Sequence, residues 1–167
     1  MKIKTNLIVS LVLAIVVSFF IIKYMRSEEG LNELLTKTEL SNLNGVTLDK
    51  NDLKGKVLIM AYFQTWCSDC AKEQPELLQL QEKFGSDKLK VMMISDEPTD
   101  LILQFKAKFQ SPLDFFQSSK KLKSIGIKKF PTTYLIDKKG ETKEMRIEGI
   151  HWYTPETVAT IEQLLAE

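Results

Sequence analysis

Apolar and polar positions divide this chain into an apolar N-terminal stretch and a longer part in which strand-like and helix-like segments alternate. Residues 57–63 are continuously apolar and residues 88–94 are apolar through their centre, which is typical of central strands covered on both faces. A helix is predicted to end near Phe84 before Gly85, and another to open at Pro155. Strands joined through helices predict a parallel core for the sheet.

Shorter elements complete the pattern. Asn44-Gly45 separates two short apolar stretches, 40–43 and 46–48, and predicts an N-terminal β-hairpin. Residues 130–137 and 141–147 predict two strands joined by a turn, which adds an antiparallel edge to the sheet.

The helix after the second central strand is predicted to be capped by Thr99 or Asp100, because their side-chain oxygens can accept hydrogen bonds from the free N–H groups. Its apolar residues recur at helical spacing and are predicted to form its inner face. These residues are Leu101, Ile102, Phe105 and Phe109.

Residues 7–22 are almost unbroken Leu, Ile, Val, Phe and Ala, and their neighbours extend this stretch to the roughly 20 residues that span a membrane. A cleaved signal peptide is the alternative, but no small-x-small cleavage site follows the apolar run. We therefore predict a cytoplasmic N-terminus (1–4), a single transmembrane helix as anchor (5–24), a tether (25–37) and a folded domain (38–167). The single span favours a domain on the extracytoplasmic, or periplasmic, side of a bacterial cytoplasmic membrane.

Charge is distributed unevenly along the chain. Residues 1–27 hold four of the 23 basic residues and no acidic residue, so the remainder has three more acidic than basic residues. A slightly acidic domain gives no electrostatic reason to expect a nucleic-acid partner. One histidine and two cysteines are too few for a structural zinc site without a carboxylate ligand, and no metal is expected at the site.

Cys67-Ser-Asp-Cys70 contains the only two cysteines of the chain, and it lies where the first central strand gives way to a helix. Residues i and i+3 share a helix face, so the two sulfur atoms can meet. Free N–H groups and the positive end of the helix dipole favour a Cys67 thiolate. Cys70, one turn deeper, is expected to act second, on a mixed disulfide. Incidental cysteines or half of a metal site are the alternatives.

Two motifs together resemble a known family. They are Phe63-Gln-Thr-Trp-Cys-Ser-Asp-Cys-Ala-Lys-Glu-Gln-Pro75 and Phe130-Pro-Thr-Thr-Tyr-Leu-Ile-Asp-Lys-Lys-Gly140. They resemble the thioredoxin superfamily, and within it the membrane-anchored TlpA/ResA-type thiol–disulfide oxidoreductases. The resemblance covers about residues 38–165 and implies an α/β, thioredoxin-like three-layer fold, in which helices flank a central mixed sheet.

The resemblance also implies site residues. Pro131 matches a cis-proline that faces the active-site disulfide, and Phe130 and Trp66 are expected to bind substrate beside it; a trans proline that opens a strand is the alternative. Glu73 matches a carboxylate that takes and returns protons, whereas Ala61 replaces the buried aspartate of thioredoxins proper. A solvated helix residue is the alternative for Glu73.

Asp69 places a negative charge near Cys67, which opposes thiolate formation and predicts a reductant. We therefore predict a membrane-tethered protein-disulfide reductase with no cofactor beyond the Cys67–Cys70 disulfide. The resemblance implies protein thiols and disulfides as partners, either apocytochrome c or misoxidised envelope proteins, and an upstream electron donor in the membrane.

Two other functions stay open. Copper-carrying Sco-type proteins share the fold, a membrane anchor and a histidine after the cysteine pair, and His151 is the single histidine here. Their cysteines are separated by three residues and these by two, which counts against a copper carrier. A non-catalytic thioredoxin-like chaperone is the second alternative.

Overall fold

The computed structural model describes residues 13–14, 17–18 and 30–167. Residues 30–167 form six strands and four α-helices. The strands are β1 (Leu40–Asn42), β2 (Val57–Tyr62), β3 (Leu89–Ser95), β4 (Asp114–Ser118), β5 (Thr132–Ile136) and β6 (Thr142–Ile147). The α-helices are α1 (Leu31–Thr38), α2 (Ser68–Phe84), α3 (Thr99–Lys108) and α4 (Pro155–Ala166), and short 3-10 helices cover Lys50–Leu53 and Leu122–Ile125.

The strands form one mixed sheet in the order β1-β4-β3-β2-β5-β6. Strand β3 is parallel to both β2 and β4, because α2 and α3 carry the chain back along the sheet before the next strand begins. Strand β1 pairs antiparallel with β4, β5 with β2, and β6 with β5. This arrangement confirms the predicted thioredoxin-like α/β fold with a central mixed sheet.

Helices cover both faces of the sheet. Helices α2, α3 and α4 pack on one face through residues such as Leu77, Ile102 and Ile161, and α1 packs on the other through Leu34. Every residue of β2 is buried, because successive side chains point to opposite faces and both faces are covered. Strand β2 therefore leads from the centre of the core to the start of α2, where the cysteines lie.

The tether predicted over residues 25–37 is wrong in its second half, which forms most of α1. Leu34 is only 1% exposed, and Leu35 and Thr38 are buried with it. Leu31, Leu34, Leu35 and Thr38 recur at the spacing of one helix face, so this segment can bury an apolar stripe despite its polar remainder. The folded domain therefore includes α1.

The other N-terminal predictions lie outside the described residues. The cytoplasmic N-terminus (1–4) is wholly outside, and the anchor (5–24) is outside except for residues 13–14 and 17–18. Within the described part of the chain, no helix is both long and apolar enough to cross a membrane.

The N-terminal hairpin forms only in part. Its turn is present, since the Asn42 N–H donates to the Val46 carbonyl at 2.8 Å and the Gly45 N–H to the Asn42 carbonyl at 2.9 Å. The returning arm makes a single bridge, between Ser41 and Thr47, and is not a strand. Strand β1 forms its ladder with β4, because the sheet offers it a longer partner than the exposed returning arm does.

Helix α3 differs from the prediction at its start and on its inner face. Its N-cap is Pro98 without a side-chain hydrogen bond, and the Thr99 hydroxyl donates to Gln117 at 3.1 Å. Ile102 and Phe105 are buried as predicted, but Leu101 and Phe109 are each 38% exposed. Only part of the apolar stripe reaches the sheet, so the outer part of this stripe remains at the surface.

Replacing Leu34 with Ala is expected to destabilise the domain by about 2–5 kcal/mol, because the change leaves a cavity beneath α1. Urea unfolding of the full chain, followed by circular dichroism, measures the effect. Asn32→Ala, on the exposed side of α1, is the matched control and is expected to change stability by less than about 0.5 kcal/mol. Equal stability of the two variants would mean that this segment is a tether after all.

Candidate active site

Cys67 is the N-cap of α2, and its sulfur accepts a hydrogen bond from the Cys70 N–H at 3.1 Å. The two cysteines form a disulfide with a Cα–Cα distance of 5.3 Å. Cys67 is 8% exposed, whereas Cys70 is completely buried. The predicted arrangement is therefore present: both sulfurs lie at the start of a helix, and only Cys67 can be reached from outside.

Asp69 lies in the first turn of α2, as its position in the motif requires. Its carboxylate pairs with the Lys72 amine at 2.8 Å, and both side chains are exposed. An exposed ion pair of this kind stabilises the fold little, but the positive charge of Lys72 offsets the electric field of Asp69 at neighbouring groups. The negative charge that Asp69 brings near Cys67 is thus partly compensated by Lys72.

Two acidic residues that sequence reasoning missed hold the loop before the cysteines. The Glu97 carboxylate accepts hydrogen bonds from the Thr65 N–H at 2.6 Å and from the Thr65 hydroxyl at 2.9 Å. The Asp96 carboxylate accepts one from the Gln64 side chain at 2.6 Å. Because β2 and β3 are parallel neighbours, residues that follow them meet at the same edge of the sheet. The position of Asp96 and Glu97 directly after β3 was the available sequence signal for these contacts. The contacts hold the loop that leads from β2 to Cys67.

The predicted substrate-binding residues lie together beside the disulfide loop. The Phe130–Pro131 peptide bond is cis, as predicted. Residue Tyr62 of β2 pairs with Thr132 of β5, which brings Pro131 to the end of β2 that leads to Cys67. The Trp66 side chain is 73% exposed, and its ring meets that of Phe130 edge-on with centroids 6.1 Å apart. These rings form an apolar rim next to the reactive sulfur.

Glu73 is completely buried, so its interpretation as a solvated helix residue is wrong. Its Oε1 accepts hydrogen bonds from the Thr133 hydroxyl and from the Trp152 indole N–H, each at 2.8 Å. Its Oε2 is buried and has no hydrogen-bond partner among the described protein groups. Burial raises the pKa of Glu73 to about 7, although the two hydrogen bonds and the nearby Arg146 charge oppose this shift.

The partners of Glu73 are far from it in sequence and were not predicted. Thr133 belongs to the strand after Pro131, and Trp152 belongs to the segment before α4. The Arg146 guanidinium lies 4.0 Å from the centre of the Trp152 ring and donates to the Thr157 hydroxyl at 2.9 Å. Arg146 thus packs against the buried indole whose N–H donates to Glu73.

His151 lies at the surface of the same segment. Its ring is 79% exposed, with Nδ1 3.3 Å from a carboxylate oxygen of Glu76. Among the described residues, no three His, Cys, Asp or Glu side chains are grouped closely enough to hold a metal ion. The structure therefore places His151 against α2 through Glu76.

Most of the folded domain matches a known protein family. A model described as the AhpC/TSA family matches residues 32–145, which is more than half of the chain. The chain belongs to the AhpC/TSA family. The matched range includes all of α1 except Leu31 and the whole site from Trp66 to Pro131, and it ends before Trp152.

Individual relatives agree with this assignment. The thiol-disulfide oxidoreductase ResA of Bacillus thuringiensis strain Al Hakam is 29% identical over 113 residues, covering 65% of this chain and 64% of that protein. The chain thus matches just under two thirds of that relative's length. ResA of Bacillus thuringiensis subsp. konkukian is 28% identical over 130 residues, covering 70% of this chain and 74% of that protein. The predicted relationship to ResA-type, thioredoxin-like proteins is confirmed.

A solved structure supports the fold. The thioredoxin domain of a thiol-disulfide oxidoreductase from Bacteroides vulgatus superposes with a TM-score of 0.64 at 20% identity, covering 83% of this chain and 97% of that chain. At this identity the likeness concerns the fold alone.

Burial of Glu73 predicts a stability that depends on pH. The native state keeps the Glu73 proton up to its raised pKa of about 7, whereas the unfolded chain releases it near the ordinary glutamate pKa of 4.5. The stabilisation is therefore complete below pH 4.5 and is lost as pH rises through 7, a change of roughly 3 kcal/mol. Glu73→Gln removes this titration and should flatten the curve of unfolding free energy between pH 5 and pH 8.

Urea unfolding of the oxidised full chain at several pH values measures this dependence. Glu82→Gln, on the exposed side of the same helix, is the control and should keep the pH dependence of the unaltered protein. An unchanged slope in Glu73→Gln would contradict the assignment of this titration to Glu73.

Proposed function

We propose that this protein is a membrane-tethered thiol–disulfide oxidoreductase that reduces disulfides of other proteins. The observation that carries the proposal is the placement of the cysteines, with Cys67 at the helix N-terminus and Cys70 buried behind it at disulfide distance. Relatives named as thiol-disulfide oxidoreductases support it.

The chemistry transfers two electrons. The Cys67 thiolate attacks one sulfur of a substrate disulfide, forms a mixed disulfide and releases the first substrate thiolate. The Cys70 thiolate then attacks the Cys67 sulfur, releases the second substrate thiolate and leaves the Cys67–Cys70 disulfide. The substrate gains two electrons and two protons, and an upstream electron donor must then reduce the protein again.

In this mechanism Glu73 accepts and returns the proton of Cys70. Residues 70 and 73 are three apart on α2, so they share one face of the helix. Cys70 must lose its proton before it attacks, and a buried carboxyl with a pKa of about 7 can accept that proton near neutral pH and return it later. Thr133 and Trp152 hold one oxygen of Glu73 and leave the other for this exchange.

Charge around the loop favours the reducing direction. Asp69 lies within the motif, and the Glu97 and Asp96 carboxylates contact the residues just before it. Negative charges near Cys67 oppose its thiolate, and a less stabilised thiolate gives up electrons more readily. Lys72 offsets part of the Asp69 charge, and the Lys121 amine lies 3.7 Å from the Asp96 carboxylate, so Glu97 contributes most of this negative charge.

The apolar stretch over residues 5–24 supports a single membrane anchor, with residues 1–4 in the cytoplasm and the domain outside it. Because α1 is part of the domain, only residues 25–29 separate this stretch from Gly30 at the start of α1. Five residues reach roughly 17 Å at most, so the domain would remain close to the membrane surface and to a donor within the membrane. Apocytochrome c and misoxidised envelope proteins are the candidate substrates.

Replacing Cys70 with Ala should trap the mixed disulfide, because nothing then resolves the bond between Cys67 and a substrate. Expressed as the full chain in cells, this variant is expected to accumulate disulfide-linked partners, identifiable by mass spectrometry, that are exported proteins. The matched control is the double variant Cys67→Ser with Cys70→Ala, which should trap none. Partners that persist in the double variant would favour a chaperone, and partners that are exclusively cytoplasmic would contradict the proposed location.

A further inference from the structure

A groove lies beside the Cys67 sulfur, and Trp66 and Cys67 form part of one of its walls. The cavity measures about 370 Å³, and Ser68 and Ala71 of α2 also line this wall. Helix α3 forms the other wall. Space next to Cys67 is where the residues that flank a substrate cysteine must lie once a mixed disulfide has formed.

The wall contributed by α3 is a continuous stripe of one helix face. Its members recur at the spacing i, i+3, i+4, i+7 and i+8, which places them in line along the helix. They are Leu101, Gln104, Phe105 and Lys108 of α3, together with its C-cap Phe109. The stripe explains why Leu101 and Phe109 are partly exposed, since they face the groove and not the sheet.

Aromatic packing fixes the floor of this groove. The Phe105 ring is buried and contacts those of Phe63 and Phe109, with centroids 5.0 Å and 4.8 Å away. Phe109 is therefore held in place at the surface by a ring of the core. Trp66, Leu101 and Phe109 are all large apolar side chains left exposed around a single cysteine.

The α3 wall of the groove carries a positive charge, whereas the Glu97 carboxylate contacts Thr65 in the opposite wall. Lys108 is the one charged side chain among the described residues that line it, and its amine lies 5.3 Å from the centre of the Phe109 ring. Asp69, which lies just beyond the other wall, is already paired with Lys72. An acidic group in the occupant would complement Lys108, and a basic group would be repelled.

We propose that this groove binds an extended segment of the substrate protein in which bulky apolar residues flank the cysteine and an acidic residue follows. The inference rests on the proposed function, because it assigns the substrate preference of the same reactive cysteine. The occupant's apolar side chain fills the space between Trp66 and Phe105, and its carboxylate meets Lys108.

Four symmetric peptide disulfides test the proposal. Their cysteines are flanked by Phe or by Ala, and beyond these by Glu or by Lys. Each is mixed with the reduced full chain, and the second-order rate of peptide reduction is measured at low salt. We expect Phe to be preferred over Ala about tenfold, as partial burial of one large apolar side chain predicts. Glu should be preferred over Lys about two- to fivefold, as an exposed ion pair predicts.

Variants of α3 assign these preferences to the groove. Leu101→Asp should abolish the preference for Phe, and Lys108→Glu should reverse the preference for Glu. The matched control is Leu103→Asp, because Leu103 is 47% exposed but lies about 200° around the helix from Leu101, outside the groove. It should keep both preferences.

The outcomes separate the two proposals. Equal reduction of all four peptides by the unaltered protein would overturn the groove assignment while leaving the reductase function intact. Loss of the Phe preference in Leu103→Asp as well as in Leu101→Asp would also overturn it. If the reduced protein transfers electrons to none of the peptides, the reductase function itself is wrong, and the groove has no substrate to select.

Discussion

Cys67 caps α2 with its own sulfur, by accepting the Cys70 N–H at 3.1 Å. The residues preferred at helix N-caps are Ser, Thr, Asp and Asn, whose side-chain oxygens accept the free N–H groups. Here the atom that satisfies the helix is also the atom expected to react, so the helix dipole and the free N–H groups act directly on its charge. Everything that fixes the start of α2, from buried β2 to the Glu97 contact with Thr65, therefore also fixes the nucleophile.

Helix α2 also connects the surface of the site with the core. Cys67, Cys70 and Glu73 follow one another at intervals of three residues, and exposure falls from 8% at Cys67 to none at the other two. In the proposed reaction, electrons pass through the accessible sulfur of Cys67, and buried Glu73 accepts the proton of Cys70. Trp152 and Thr133 hold this carboxyl, so the segment before α4 and strand β5 both fix the position of Glu73.

Local patterns predicted much of this. The continuous apolar run of β2 and the i and i+3 spacing of the cysteines each carry their signal within a few residues, whereas the cis-proline at 131 was predicted only from the family resemblance. Contacts between distant segments could not be predicted in this way, because the bonds of Glu73 to Trp152 and of Glu97 to Thr65 exist only once strands and helices are assembled. Helix α1 was missed although its apolar spacing was visible, since its polar residues suggested a tether.

In their dithiol form Cys67 and Cys70 are proposed to serve as a reductant, and the reduction potential of the disulfide that they form tests this proposal most directly. Equilibration of the full chain with glutathione or dithiothreitol buffers of known potential, read by thiol alkylation, gives the value. Negative charge around Cys67 predicts a potential near that of thioredoxin, about −270 mV. A value near that of the strong oxidant DsbA, about −120 mV, would contradict the account.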